Sequence, residues 1–315
     1  METHIIINQL LAFVILIVIG AVASSRKLIN NEGKDFLSRL IIDVTLPLLI
    51  ITTFLKLENN PRLLINGLWV FVLTFVNLGI MFLAGTLSAR VQKMSPSDTT
   101  VHVLHTMFGN IVFLGFPLFD ALFPNGIGVF YASVYQLASN LITYTYGTYK
   151  LSAGVQKSRL GNLFNINTIA LLLGIVLMVL KVKLPSFILD PITGLGKCTS
   201  PLSMVYIGAL LAGMNLKSTF KTISIYLLSI NKLIILPLLL GFLYTFLNKW
   251  ANLNLSLESF VVLVMQAAMP CQTIVVVMSR RYGGNHILAT GNLFITTILS
   301  IITLPFIYHF LINIY

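Results

Sequence analysis

Charge is what this sequence has least of. Only 9% of its 315 residues are Asp, Glu, Lys or Arg, against about 25% in an average soluble domain. That is too few to solvate the surface of a water-soluble fold, which excludes a soluble enzyme. It also excludes a disordered chain, whose composition is polar and poor in apolar residues. Cysteine is nearly absent. Cys198 and Cys271 both sit in apolar sequence, with neither a disulfide framework nor metal-ligand spacing around them. Acidic residues number 9 against 20 basic ones, a net charge of +11. Yet no block of five or more like charges occurs, so nucleic acid is not the expected partner, and the basic residues read as topology anchors on short loops. There is no P-loop, nucleophile elbow or paired-carboxylate motif. Neither enzymatic chemistry nor a cofactor is expected.

What the chain does have is apolar length. At 57% apolar, roughly 180 residues divided by about 20 per span gives about nine membrane crossings. The runs are continuously apolar, whereas the strands of a transmembrane β-barrel alternate. The fold class is therefore an all-α polytopic membrane protein. Hydropathy marks ten segments, near residues 5–24, 37–55, 64–88, 99–121, 127–149, 164–181, 187–214, 222–247, 257–279 and 286–312. The first run ends in Ala21-Val22-Ala23, like a cleavage site, but its basic residues, Arg26 and Lys27, follow it instead of preceding it. A secretory signal has the opposite polarity, so the first helix is expected to be retained. Loops after odd-numbered segments hold 13 Lys and Arg, those after even-numbered segments 6, and Lys232 lies inside a segment. The positive-inside rule then puts both termini outside the cell membrane.

Intramembrane residues recur at a nearly fixed offset. Pro47 and Pro201 are 154 apart, Pro117 and Pro270 are 153 apart, and 154 also links Gly20 to Gly174, Lys27 to Lys181 and Asn77 to Asn231. The offset maps the first five segments (1–150) onto the last five (164–315), joined by a short cytoplasmic connection (151–163). Each half crosses an odd number of times, so the second is inserted upside down relative to the first. Two inverted five-helix repeats are the architecture of many secondary transporters.

The fourth and ninth segments carry helix breakers. One reads Gly109-Asn110-Ile111-Val112-Phe113-Leu114-Gly115-Phe116-Pro117-Leu118, the other Gln266-Ala267-Ala268-Met269-Pro270-Cys271-Gln272-Thr273. Proline removes an N–H and clashes with the carbonyl four residues back, here those of Phe113 and Gln266, and Gly115 loosens the first segment further. In lipid such breaks must line a cavity or be buried in protein. The half-helix that restarts near Cys271, Gln272 and Thr273 offers free N–H groups with partial positive charge, a receptor for an anion, and Asn110, Gln272 and Thr273 add side-chain donors. Two charges lie within segments. Lys232 is near the bilayer midplane, where it either neutralises an anionic substrate or switches partners between states; the alternative is a buried packing contact. Asp43 is its counter-ion, a proton acceptor, or a group snorkelling toward the interface beside Arg39. Gln136 and Asn140 share one helical face and either line the site or bond across helices. His102 and His105 are expected at the membrane interface.

At the two breaks the sequence resembles the auxin efflux carrier family. Asn110 through Leu118 is similar to its N-x-x-x-x-G-x-P-L stretch. Met269-Pro270, Arg281-Tyr282-Gly283-Gly284 and Ala289-Thr290-Gly291 are similar to its second-half pattern, and Leu46-Pro47-Leu48 to its second segment. The resemblance implies ten spans in two inverted repeats, with broken helices 4 and 9 crossing at a substrate site. Asn110 would contact substrate, and Pro117 and Pro270 would be the crossover points. Spans 1, 2, 6 and 7 would form a scaffold that dimerises, the rest an elevator. The stretch from Lys150 to Gly161 is short where plant auxin exporters carry a long hydrophilic loop, which points to the bacterial malate or malonate permease-like branch. Asp43 departs from the pattern, since bacterial relatives more often carry an amide there. The expected function is secondary transport of small organic anions, with H⁺ or Na⁺ coupling open. A bile-acid-symporter-like Na⁺ carrier should show acidic ligands at the breaks, and neither break contains one. A channel would give uninterrupted currents, and a membrane enzyme would need clustered carboxylates or histidines.

Overall fold

The computed structural model describes residues 2–58, 60–123, 125–152, 164–213 and 222–315. The connection from residue 153 to 163, with Lys157 and Arg159, and the loop carrying Lys217 and Lys221 lie outside the described residues.

Helices cover all ten apolar segments. They are α1 (Glu2–Ser25), α2 (Asn31–Leu40), α3 (Leu46–Lys56), α4 (Pro61–Val91), α5 (Pro96–Met107), α6 (Phe116–Leu122), α7 (Ile127–Ile142), α8 (Thr148–Leu151), α9 (Ile166–Val179), α10 (Ser186–Lys197), α11 (Thr199–Ala212), α12 (Ile223–Ile230), α13 (Leu236–Trp250), α14 (Leu257–Ala267), α15 (Thr273–Tyr282) and α16 (His286–Ile314). Five continuous helical stretches are long and apolar enough to cross a membrane: Asn31–Lys56, Pro61–Val91, Ser186–Ala212, Ile223–Trp250 and His286–Ile314. The chain is a polytopic helical membrane protein.

Starts and interruptions follow from local chemistry. Side chains of Asn30, Ser95, Asn165, Ser256 and Asn285 accept N–H groups of the helices they precede, as capping residues do. Three five-residue π-helical turns, Ile41–Thr45, Ile111–Gly115 and Asn231–Ile235, each run directly into a helix with proline in its second position: Pro47, Pro117 and Pro237. A proline would strike the carbonyl four residues back. Widening the turn by one residue moves that carbonyl aside. The Leu46 and Leu236 N–H groups accordingly reach back five residues, to the Ile41 and Asn231 carbonyls.

The chain forms two compact units, and neither is a sequence half. The first comprises Met1–Leu68, Val112–Val134 and Phe164–Met214; the second comprises Trp69–Ile111, Tyr135–Leu163 and Asn215–Tyr315. Within the first, α1 packs on α11 and α9 on α3. Glycines allow both approaches. A Cβ on Gly20 would land on the Val205 carbonyl and one on Gly208 on the Ile17 carbonyl, while Gly174 lies against the Phe54 ring. Phe54 and Phe130 pack ring to ring, as do Phe113 and Tyr206. The second unit is built around α16, which touches α5, α12, α13, α14 and α15. There the Tyr244 hydroxyl donates to the Leu73 carbonyl at 3.1 Å and also meets the Asn77 side chain.

Candidate functional site

The two interrupted segments meet inside the second unit. α5 ends at Met107, and Phe108, Gly109 and Asn110 leave the helix. α14 ends at Ala267, and the chain unwinds until α15 begins at Thr273. Gly109 and Cys271 form an isolated antiparallel bridge, and the Asn110 N–H donates to the Pro270 carbonyl at 2.8 Å. Gly109 is what lets the backbones approach. A Cβ there would lie 2.8 Å from the Met269 Cβ and 2.9 Å from the Gln266 carbonyl oxygen.

This places the first interruption earlier than the prolines suggest. Pro117 does not break the chain: it sits in the first turn of α6, after a π-helical turn closed by Gly115. The helical stretch Ile111–Leu122 continues through it, because the widened turn moves aside the carbonyl its ring would strike. The unwound residues are 108–110, and the unit boundary follows Ile111, so Gly115 and Pro117 belong to the first unit and Asn110 and Pro270 to the second.

Broken helices leave orphan backbone groups, and the second unit supplies partners for several. In an unbroken helix the Asn110 N–H would return to the Thr106 carbonyl. It goes to Pro270 instead, and the Lys232 ammonium donates to the Thr106 carbonyl at 2.9 Å. Lys232 is 0% exposed. The Phe108 N–H reaches the Leu104 carbonyl at 2.9 Å, and the Cys271 thiol faces the His105 carbonyl at 3.8 Å. On the other strand the Cys271 N–H, expected to be free, donates to Thr296 Oγ1 at 3.0 Å. The open end therefore begins one residue later. Gln272, the cap position of α15, makes no side-chain capping bond, and Gln272 Oε1 and Thr273 Oγ1 have no hydrogen-bond partner.

Further polar groups surround this point. Gln266 is 1% exposed, and neither its Oε1 nor its Nε2 has a partner. His105 and His102 are buried, because α5 packs against other helices of the unit. His105 Nδ1 lies 3.3 Å from the Asn292 amide nitrogen, and His102 Nε2 lies 3.1 Å from Ser88 Oγ. Asn292, Thr296 and Ser300 are all buried on α16. Their spacing of four residues was the available sequence signal for a polar stripe, hidden by the helix's overall hydropathy. Gln136 and Asn140 are buried in the second unit's part of α7. Asp43 is exposed and belongs to the first unit. The second unit's two carboxylates, Asp98 and Glu258, stand in the first turns of α5 and α14. Asp98 is eight residues from Thr106, about 12 Å along the helix. Beside α5 a cleft of about 160 Å³ opens between Phe82, Thr99, Thr100, Val103, Tyr146 and Lys150.

An all-helical membrane chain whose buried interruptions carry unsatisfied amides and one buried ammonium has the makings of a solute pathway, and comparison with known proteins agrees. The family model described as "Membrane transport protein" matches residues 5–162 and 150–308. The chain belongs to this family of membrane transporters, the auxin efflux carrier family. It is 26% identical to an uncharacterized transporter of Methanocaldococcus jannaschii over 304 residues, covering 94% of this chain and 96% of that one. It is 25% identical to an uncharacterized transporter of Methanothermobacter thermautotrophicus over 309 residues, 95% and 96% of the two chains.

Proposed function

We propose that the protein is a secondary carrier of small organic anions, mono- or dicarboxylates, working by elevator-type alternating access. The observation that carries this reading is the meeting of the two interrupted helices at Gly109 and Cys271. A carboxylate placed there faces the uncapped N-terminus of α15, whose dipole favours negative charge. Asn110, Gln272, Thr273 and the unpartnered Gln266 amide supply donors, and Lys232 supplies compensating charge. The cleft beside α5, with Lys150 at its rim, offers an approach.

The division into units supports the elevator reading. The second unit takes segments 3, 8, 9 and 10, with parts of 4 and 5; it would move with the substrate. The first takes segments 1, 2, 6 and 7 with the remaining parts of 4 and 5 (Val112–Val134) and would be the scaffold and dimer contact. The pairing of α1 with α11 and of α9 with α3 supports the inverted repeat, because the 154-residue offset exchanges one pair for the other. The basic-residue count supports termini on the outside.

Uptake of labelled mono- and dicarboxylates into proteoliposomes tests the reading. Saturable uptake of at least one is expected. Asn110→Ala should weaken its apparent affinity about 10- to 100-fold, as loss of one hydrogen bond to a charged group does, and Lys232→Ala should reduce uptake at least as much. Uptake unchanged in both variants would remove the site, and uninterrupted current would identify a channel.

A further inference from the structure

The cleft beside α5 lies wholly within the second unit, and its lining changes character with depth. Each of the three elements that form it sets a polar side chain at the rim and an apolar one four residues, about 6 Å, further in. The pairs are Thr86 and Phe82 on α4, Thr100 and Leu104 on α5, and Lys150 on α8 with Tyr146 in the turn before it. We propose that this cleft binds an anionic phospholipid, with the headgroup phosphate at the rim and the start of an acyl chain against the floor. The inference does not rest on the anion-carrier reading, since it holds whatever solute is carried.

The three rims coincide. α4 ends at Val91 and α5 begins at Pro96, so their polar residues stand at the same end. The Phe82 and Tyr146 rings meet edge to face at 5.7 Å, which brings the third pair into register. A change from polar to apolar within about one helical turn is the profile of the boundary between headgroups and hydrocarbon. The rim is also basic. Lys150 is exposed, its ammonium 5.9 Å from the centre of the Tyr146 ring. Arg90, also exposed, continues the α4 stripe one turn beyond Thr86. The one carboxylate on α5, Asp98, is engaged by the Asn285 amide at 2.6 Å. Basic groups at a membrane surface attract anionic lipid heads. The mouth borders hydrocarbon: Leu83 and Leu87, beside Phe82 and Thr86 on α4, are 66% and 64% exposed, as lipid-facing side chains are. Finally, the π-helical turn Thr143–Gly147 runs into a helix without proline, unlike the three described above. Its extra residue rotates α8 by about 100° relative to α7, and α8 packs on α5. A feature frequent at functional sites thus sets the orientation of the element that carries Lys150.

Melting of the purified full chain in detergent tests this, with phosphatidylglycerol, phosphatidylcholine or glycerol 3-phosphate added. Phosphatidylglycerol should raise the melting temperature about 3–6 °C above its value in phosphatidylcholine. Glycerol 3-phosphate should leave it unchanged, because it lacks the chain that fills the floor. Lys150→Met keeps an apolar stem over Tyr146 and removes the charge; it should lose at least half of the difference between the two lipids, and the double variant with Arg90→Ala should lose all of it. Lys249→Ala, which removes a cation at the end of α13, should keep the difference. Equal stabilisation by both lipids overturns the proposal, as does an undiminished difference in the double variant. Full stabilisation by glycerol 3-phosphate would mark a simple phosphate site, and loss of the difference in Lys249→Ala would mark an effect of overall charge; either overturns it too.

Discussion

Gly208→Val should lower the melting temperature of the purified protein by about 5–10 °C, the largest stability effect expected of any single substitution at a helix contact in the first unit. Glycine at this position brings the α11 backbone against that of α1, and an added Cβ would land on the Ile17 carbonyl oxygen and approach the Ala21 nitrogen. These are backbone atoms of a helix, not the flexible end of a side chain, so relief requires α1 to move bodily. Overpacking of this kind costs roughly 1–3 kcal/mol and occasionally more, and in a chain of this size each kcal/mol shifts melting by about 2–4 °C. Gly20→Val, which meets the Val205 carbonyl from the opposite side, should act alike. The double variant should lose less than the sum, because a helix already displaced by one side chain has made room for the other. Wild-type melting in Gly208→Val would show that α1 does not pack on α11, and would reopen the reading of the first segment as a retained helix.

Gly109→Val should abolish most uptake while leaving more of the fold intact. The bridge with Cys271 depends on the missing side chain, since a Cβ would crowd both Met269 and the Gln266 carbonyl. Separating the strands by about 1 Å would break the bond from Asn110 to Pro270 and shift the α15 N-terminus relative to Asn110. Misplacement on that scale lowers rates in enzyme sites on the order of 100-fold, and a comparable loss in initial uptake rate is expected, with Gly109→Ala intermediate. The readout pairs uptake with melting. A loss of uptake no larger than the loss of folded protein would place the bridge outside the transport pathway.

Much of this arrangement was legible in the chain. Low charge and continuous apolar runs assign a helical membrane protein, and the ten segments coincide with helical stretches. The motifs around Asn110 and Pro270 pointed to interrupted helices and to the family. The sequence also named the wrong breaker in the fourth segment. Pro117 looks like the interruption because proline cannot continue a regular helix, but a π-helical turn can deliver it into the first turn of the next one. Gly109 looks like one small residue among many, because its importance lies in a contact with a segment 160 residues away. The burial of His102 and His105 was hidden for the same reason: hydropathy sees one helix and not what surrounds it.

Composition and local pattern determined the solvent, the helices and where they are punctuated, because those depend on what each stretch needs from lipid and from its own backbone. Tertiary structure decided which orphaned group meets which partner: Asn110 with Pro270, Cys271 with Thr296, Thr106 with Lys232. A broken helix states only that its carbonyls and N–H groups lack partners. Which donor arrives to satisfy them is fixed by packing between distant segments, and no local rule carries that information.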